Sequence, residues 1–316
     1  MSIAILLIAY NRLDLVEKRL LELASSDVAP QNVILSVDGL KDLAATTLNN
    51  EYIALVRGLN LSFHCELVFR DSNLGCSRHI ITAVTEVLEK YENVIVIEDD
   101  VSIAACFLRS MSDAILITTK IDDIGTIGGF SNFYKSVHFP FFFKKNYWRK
   151  TKYFSAWGWG TSRDFWTHFK SVSEIADLED FLSNSIFWQS LSNRKRRIWL
   201  ARFRRGVWDF NVQLILFKTN QWNLLPALRI IDNQGFSDNR STHTKHKRPW
   251  NLFGVGLSNA SPNQIKLFKC SNPTNLFWNL VDSNLWAADG LLNARAREKG
   301  VRTIIRSILH LPKFNS

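Results

Sequence analysis

The first 130 residues of this chain alternate short, largely apolar runs with stretches whose apolar residues recur at helical spacing, and few folds accept that pattern. The apolar runs are residues 3–9, 33–37, 66–69, 94–97 and 124–127. Each has the length of a strand, and a strand apolar at nearly every position must be covered on both faces. Residues 13–23 and 77–90 have the three- and four-residue apolar spacing of helices with one buried side. The expected fold class is therefore α/β, a doubly wound and mainly parallel sheet flanked by crossover helices. In such sheets a ligand lies beyond the carboxyl ends of the strands. The residues ending the strands are Asn11 and Arg12, then Asp38, then Arg70 and Asp71, then Glu98, Asp99 and Asp100. The first strand is followed by Ala9-Tyr10-Asn11-Arg12 and not by a G-x-G-x-x-G turn, which argues against a nicotinamide or flavin enzyme.

Three consecutive acids closing an apolar strand repel one another unless a cation or a proton neutralises them. Carboxylate oxygens suit Mg²⁺ or Mn²⁺, which keep coordination positions open for a diphosphate. The competing reading is an exposed acidic turn or a helix cap. Asp209 follows Trp208, and a carboxylate held against an apolar ring is raised toward the range of a general base. On side-chain chemistry alone, a capping role for Asp209 on a helix over 210–217 is the stronger reading. His243 is a candidate metal ligand set against an ordinary surface histidine. Arg12 and Arg78 are candidates for phosphate or base contacts, set against surface ion pairs. The basic run over 194–205 reads as a solvated helix face.

Composition bounds the partners. Over 316 residues the net charge is +10, which favours anionic partners such as nucleotide phosphates or an anionic membrane. The four cysteines have neither metal-ligand spacing nor the density of a disulfide framework, so a reducing, cytoplasmic setting is expected. No apolar run approaches the ~18 residues of a membrane span, and the N-terminus reads as a strand and not as a leader. Beyond residue 130 the chain becomes irregular and aromatic, as expected of acceptor-side loops. The 11 tryptophans fit sugar stacking, although core filling is their commoner use. From residue 246 onward Asn, Ser and Pro increase, and the basic, apolar tail over 301–314 suggests peripheral contact with the inner face of a membrane. Two parts are expected: residues 1–245, and a basic, helical extension over 246–316.

Taken in order, several short pieces resemble the GT-A class of glycosyltransferases, and within it bacterial members related to N-acetylglucosaminyltransferase I. They are Ile8-Ala9-Tyr10-Asn11-Arg12, Ser36-Val37-Asp38-Gly39, Arg70-Asp71-Ser72-Asn73-Leu74-Gly75 and the acidic triplet. Trp157-Gly158-Trp159-Gly160-Thr161, Trp208-Asp209 and residues 235–244 follow. The resemblance covers residues 3–245 and implies a metal-dependent, inverting transferase of surface-glycan synthesis that moves a hexosyl or N-acetylhexosaminyl group. Its donor would be a nucleotide sugar, its acceptor a glycan or glycolipid, and nucleic acid would not be a partner. Arg12 and Asp38 would hold base and ribose. Glu98 and Asp99 would contact the sugar nucleotide, and Asp100 and His243 would hold Mn²⁺ or Mg²⁺. Trp157, Gly158 and Trp159 would border the donor sugar, and Asp209 would be the catalytic base. The chain departs from these relatives at Gly160-Thr161-Ser162, where they carry Ala-Thr-Trp or similar. An inactive nucleotide-sugar-binding scaffold and a nucleotidyltransferase are the alternatives; the latter normally needs a glycine- and lysine-rich loop, absent after Ala9.

Overall fold

The computed structural model describes residues 1–40, 45–118, 121, 123–130, 147–169, 172, 175–185, 188–189, 191–226, 228–237 and 266–267. His243 and the 246–316 extension, apart from Lys266–Leu267, lie outside the described residues.

The expected alternation is observed. Strand β1 (Ile3–Ala9) is followed by helix α1 (Leu13–Ala24), β2 (Val33–Val37), α2 (Ala45–Gly58), β3 (Cys65–Phe69), α3 (Gly75–Lys90) and β4 (Asn93–Glu98). The order continues with β5 (Val101–Ile103), α4 (Phe107–Thr118), β6 (Ile124–Gly128), β7 (Tyr147–Thr151), β8 (Trp159–Ser162) and α5 (Arg163–Thr167). Then come α6 (Leu178–Ser183), α7 (Asn193–Arg204), α8 (Trp208–Lys218), β9 (Trp222–Pro226), β10 (Ile231–Asn233) and β11 (Lys266–Leu267). Among the described residues, the main sheet has 9 strands in the order β11-β7-β9-β6-β8-β4-β1-β2-β3. The β3-β2-β1-β4 half is wholly parallel, and β8 is inserted antiparallel between β4 and β6. The fold is thus mixed α/β, with a mainly parallel sheet flanked by helices.

The apolar strand runs are explained by burial on both faces. In β1, Ile5, Leu7 and Ala9 face one core with α1 and α4, while Ala4, Leu6 and Ile8 face a second with α3 and α8. In β4, Ile95 and Ile97 join the first core, and Val94 and Val96 the second. Period-two side-chain alternation makes both sets apolar, so no polar stripe interrupts the sequence. A third, smaller cluster under α7 and α8 is built from Trp188, Trp199, Phe203, Phe210 and their neighbours.

Most of the tryptophans among the described residues serve as core. Trp148, Trp159, Trp166, Trp188, Trp199 and Trp208 are all buried. Among the described residues no helix is long and apolar enough to cross a membrane.

Candidate active site

The register of the parallel half brings four strand ends into line. Ile8 lies opposite Glu98 and Ala9 opposite Val37. The chain then continues in step: Asp38 N donates to the Ala9 carbonyl, Asp99 N to that of Ile8 and Arg70 N to that of Val37, each at 3.0 Å. The antiparallel pairing of Val96 with Trp159 carries residues 157 and 158 to the same edge as Glu98.

The acidic triplet has an internal counter-charge. Arg12 Nε donates to Asp99 Oδ2 at 3.1 Å, one guanidinium nitrogen makes a close contact with Asp99 Oδ1, and the same nitrogen reaches Asp100 Oδ2 at 3.2 Å. Burial raises Asp99 to about 7, with the charge of Asp100 adding to the rise and Arg12 opposing it. Burial raises Glu98 well above the ordinary carboxylate range, with the charges of Asp100, Asp99 and Asp209 adding to the rise and Arg12 opposing it. Burial and mutual repulsion hold Glu98 and Asp99 toward the protonated form, and a hard divalent cation, which suits the cluster's spare carboxyl oxygens, would displace those protons on binding. Among the described residues, no three His, Cys, Asp or Glu side chains close around a common point. An ion here would therefore share its shell with a ligand's oxygens.

Asp100 is seated by the chain that leads toward His243. Gln234 N donates to the Asp100 carbonyl at 2.7 Å, and β10 pairs with β5 directly after the triplet. A Cβ on Gly235 would stand 2.6 Å from Asp100 Oδ2, so that backbone packs directly on the carboxylate.

Asp209 lies within electrostatic reach of Glu98. Helix α8 starts at Trp208 with Val207 at its N-cap, which places Asp209 inside the first turn and not at the cap expected from the sequence. Its Oδ1 accepts from Phe210 N at 3.0 Å. Burial raises the carboxyl above its ordinary range, opposed by the Phe210 N–H bond and by the charge of Arg202.

Most of the other expected site residues are engaged by neighbours within the protein. Asp38 is buried, and its carboxylate is already occupied: Oδ1 accepts from Leu74 N at 2.8 Å and Gly39 N at 3.0 Å, Oδ2 from Gly75 N at 2.9 Å and Asn73 Nδ2 at 3.3 Å. It fastens the loop before α3. Arg12 is paired with Asp99 and Asp100. Arg70 turns away from the site to Glu86, with contacts at 2.6 and 2.7 Å. Trp159 is fully buried among Phe154, Trp166 and Trp208, so its ring cannot border a sugar. Gly158, at φ 55°, turns the chain between a half-buried Trp157 packed edge-on against Phe130 and the inward Trp159. A Cβ on Gly158 would stand 2.8 Å from Ile231, so only glycine fits. Arg78 remains exposed in the first turn of α3.

The sequence reading missed Cys76. It keeps an exposed surface, yet its thiol is raised to about 12, by desolvation first and then by the charges of Glu98, Asp209, Asp100 and Asp38. No spacing rule could find it, because those acids come from three other segments. The expected consequence is slow alkylation by iodoacetamide at neutral pH despite exposure, with a rate rising about tenfold per pH unit as thiolate forms. Mass-spectrometric comparison with a Cys76→Ser control reads that rate; labelling of Cys76 as fast as a free thiol at pH 7 would contradict the clustering.

No protein-family model matches the chain, and no curated protein does. Among solved structures it is similar to glucosyl-3-phosphoglycerate synthase from Mycobacterium tuberculosis, determined with Mn²⁺, uridine diphosphate and glucosyl-3-phosphoglycerate. Identity there is 13% and the TM-score 0.32, over 52% of this chain and 57% of that one, so the chain spans little more than half of that protein. It is also similar to residues 1–349 of TarS from S. aureus in complex with UDP-GlcNAc, at 12% identity and a TM-score of 0.38, over 98% of this chain and 82% of that one. At these values the likenesses carry no argument about chemistry, and the fold rests on the sheet described above.

Proposed function

We propose that the chain is a glycosyltransferase that uses a nucleotide-diphosphate sugar and a divalent cation, by single displacement with inversion. The observation that supports this most is the gathering of Glu98, Asp99, Asp100 and Asp209 at one end of β4, with Arg12, among the described residues, bonded to the triplet as counter-charge. Asp100, with His243, would hold the cation, which when bound offsets the charge of a departing diphosphate. Asp99 stays paired to Arg12, which fixes the turn that presents Asp100. Glu98 lies beside them, where it can accept a hydroxyl hydrogen of the donor. Asp38 shapes the nucleotide end of the cleft indirectly, by holding the loop at residues 73–75.

Asp209 takes the proton of an acceptor hydroxyl onto a carboxylate oxygen as that hydroxyl's oxygen bonds to the anomeric carbon. The bond from that carbon to the diphosphate oxygen breaks, and its electron pair leaves with the nucleoside diphosphate. Because burial raises Asp209, its conjugate acid holds the proton more firmly than an exposed aspartate would. Surface-glycan synthesis and a glycan or glycolipid acceptor belong to the same reading.

The test is metal-dependent binding of the donor. A panel of nucleotide sugars with Mn²⁺ should raise the melting temperature of the parent through mass action, by an amount equal to about 2.7 kcal/mol at a hundredfold excess over Kd. Asp100→Ala should lose that stabilisation for every sugar. If no activated sugar shifts the parent in saturating Mn²⁺, the proposal fails, and with it the scaffold alternative, which also needs the donor.

A further inference from the structure

Helix α1 brings two arginines toward the acidic triplet, and the chemistry proposed above uses only the first. Arg12 bonds Asp99 and Asp100 from the N-cap. Arg19 lies two turns further on, fully buried on the side of the helix that also carries Val16, Leu20 and Leu23, where an apolar residue is the ordinary choice. One of its Nη atoms donates to Glu22 Oε1 at 2.8 Å, while Nε and the other Nη have no partner among the described residues. Its charge also acts on Asp99 and Asp100. An ion pair bonded this incompletely and largely out of water is a poor source of stability, and an apolar pair in its place is often as stable. What it does fix is the place of Glu22.

Glu22 holds the strand that leaves the triplet. Its Oε1 also accepts from Ser102 Oγ at 2.8 Å, and its Oε2 accepts from Ile103 N at 2.9 Å. Successive N–H groups of a strand point to opposite edges, and the next one, Ala104 N, donates to the Ile230 carbonyl beside β10. Glu22 thus takes the place of a neighbouring strand on the edge of β5 away from β10. Asp100 directly precedes β5; its carbonyl accepts from Gln234 N just after β10, and Gly235 packs on its carboxylate. A slide of β5 along β10 would carry Asp100 off both contacts. We propose that Glu22, anchored by Arg19, is a positioning residue whose carboxylate locks β5 and so sets where Asp100 presents its oxygens to the cation. This rests on the reading of Asp100 as a cation ligand.

Full-length parent would be compared with Arg19→Met/Glu22→Leu, Arg19→Met/Glu22→Gln, Ser102→Ala and a Leu88→Ala control. Both double variants remove the ion pair, but only glutamine keeps an oxygen for Ile103 N. Leu88 is buried on α3, in the core on the other face of the sheet. The probe is Mn²⁺ alone, followed by loss of the free ion's electron paramagnetic resonance signal, with amide hydrogen exchange over residues 100–103 measured without metal. The leucine variant should bind Mn²⁺ about tenfold or more weakly, the usual effect of losing a group that orients a metal ligand from behind, and should exchange faster over that segment. The glutamine variant should recover most of both. Ser102→Ala, which keeps the ion pair and removes one contact to β5, should fall between, and it decides the matter if the leucine variant does not fold. Leu88→Ala should lose melting temperature and keep parental Mn²⁺ affinity. Equal losses in both double variants, a loss in Leu88→Ala as large as in the leucine variant, unchanged Mn²⁺ affinity in Ser102→Ala and the leucine variant, or no Mn²⁺ uptake by the parent would overturn the proposal. If the loss and its rescue by glutamine are seen but no nucleotide sugar stabilises the parent in Mn²⁺, the positioning role stands and the transferase reading falls.

Discussion

Asp209→Asn is expected to leave metal-dependent donor binding unchanged and to slow sugar transfer by about 10²–10⁴-fold, the usual contribution of a positioned general base. Asparagine keeps the shape and can still accept from Phe210 N, but it has no affinity for the acceptor proton. The measurements are nucleoside diphosphate release with acceptor present, and donor Kd by calorimetry. Burial raises the folded pKa of Asp209, so the native state binds its proton more tightly than the unfolded chain does. The stability tied to this group is full below its unfolded pKa and is lost as pH rises through the folded value. At neutral pH the asparagine variant should therefore be at least as stable as the parent, which separates loss of a base from loss of fold. The acid limb of the parental rate profile should lie above the ordinary carboxylate range. Transfer by Asp209→Asn at the parental rate would remove the residue from the mechanism.

Trp159→Ala is expected to cost about 3–5 kcal/mol of folding stability, as for other large buried aromatics. The indole is fully buried, with Phe154, Trp166 and Trp208 at ring-centroid distances of 5.2, 5.9 and 5.6 Å, so truncation leaves a cavity in the second core beside β4. Urea denaturation followed by circular dichroism gives the change. Trp157→Ala makes the contrast: it is half-buried at the edge that holds Glu98, and its loss should weaken the donor or acceptor side with a smaller effect on stability. Were Trp159→Ala as stable as the parent and Trp157→Ala not, the two roles would have to be exchanged.

The strands of the parallel half were legible because both of their faces are buried. A run such as Val94-Ile95-Val96-Ile97 admits few other placements, and the observed β4, Asn93–Glu98, differs from it only at the ends. The acidic triplet was legible as well, since three adjacent carboxylates at a strand end are electrostatically costly wherever they lie. Side-chain direction was not. Trp157 and Trp159 are two residues apart in one aromatic motif, and the left-handed turn at Gly158 separates their surroundings. Asp38 has the residue type of a ligand contact, and nothing in its sequence neighbourhood shows that the backbone N–H groups of Gly39, Leu74 and Gly75 also bond to it.

By itself, the sequence determined the α/β class, the succession of strands and helices in its first half and the line of polar residues that end those strands. Periodicity and burial are local properties that a linear pattern records. Only the tertiary structure decided which of those residues neutralise one another. Arg12 and Asp99 are held together by the β1–β4 pairing, Cys76 approaches Glu98 from the far end of the preceding helix, and Asp209 does so from a helix distant in the chain. Electrostatic partnership depends on distance through space, and no spacing along the chain encodes it.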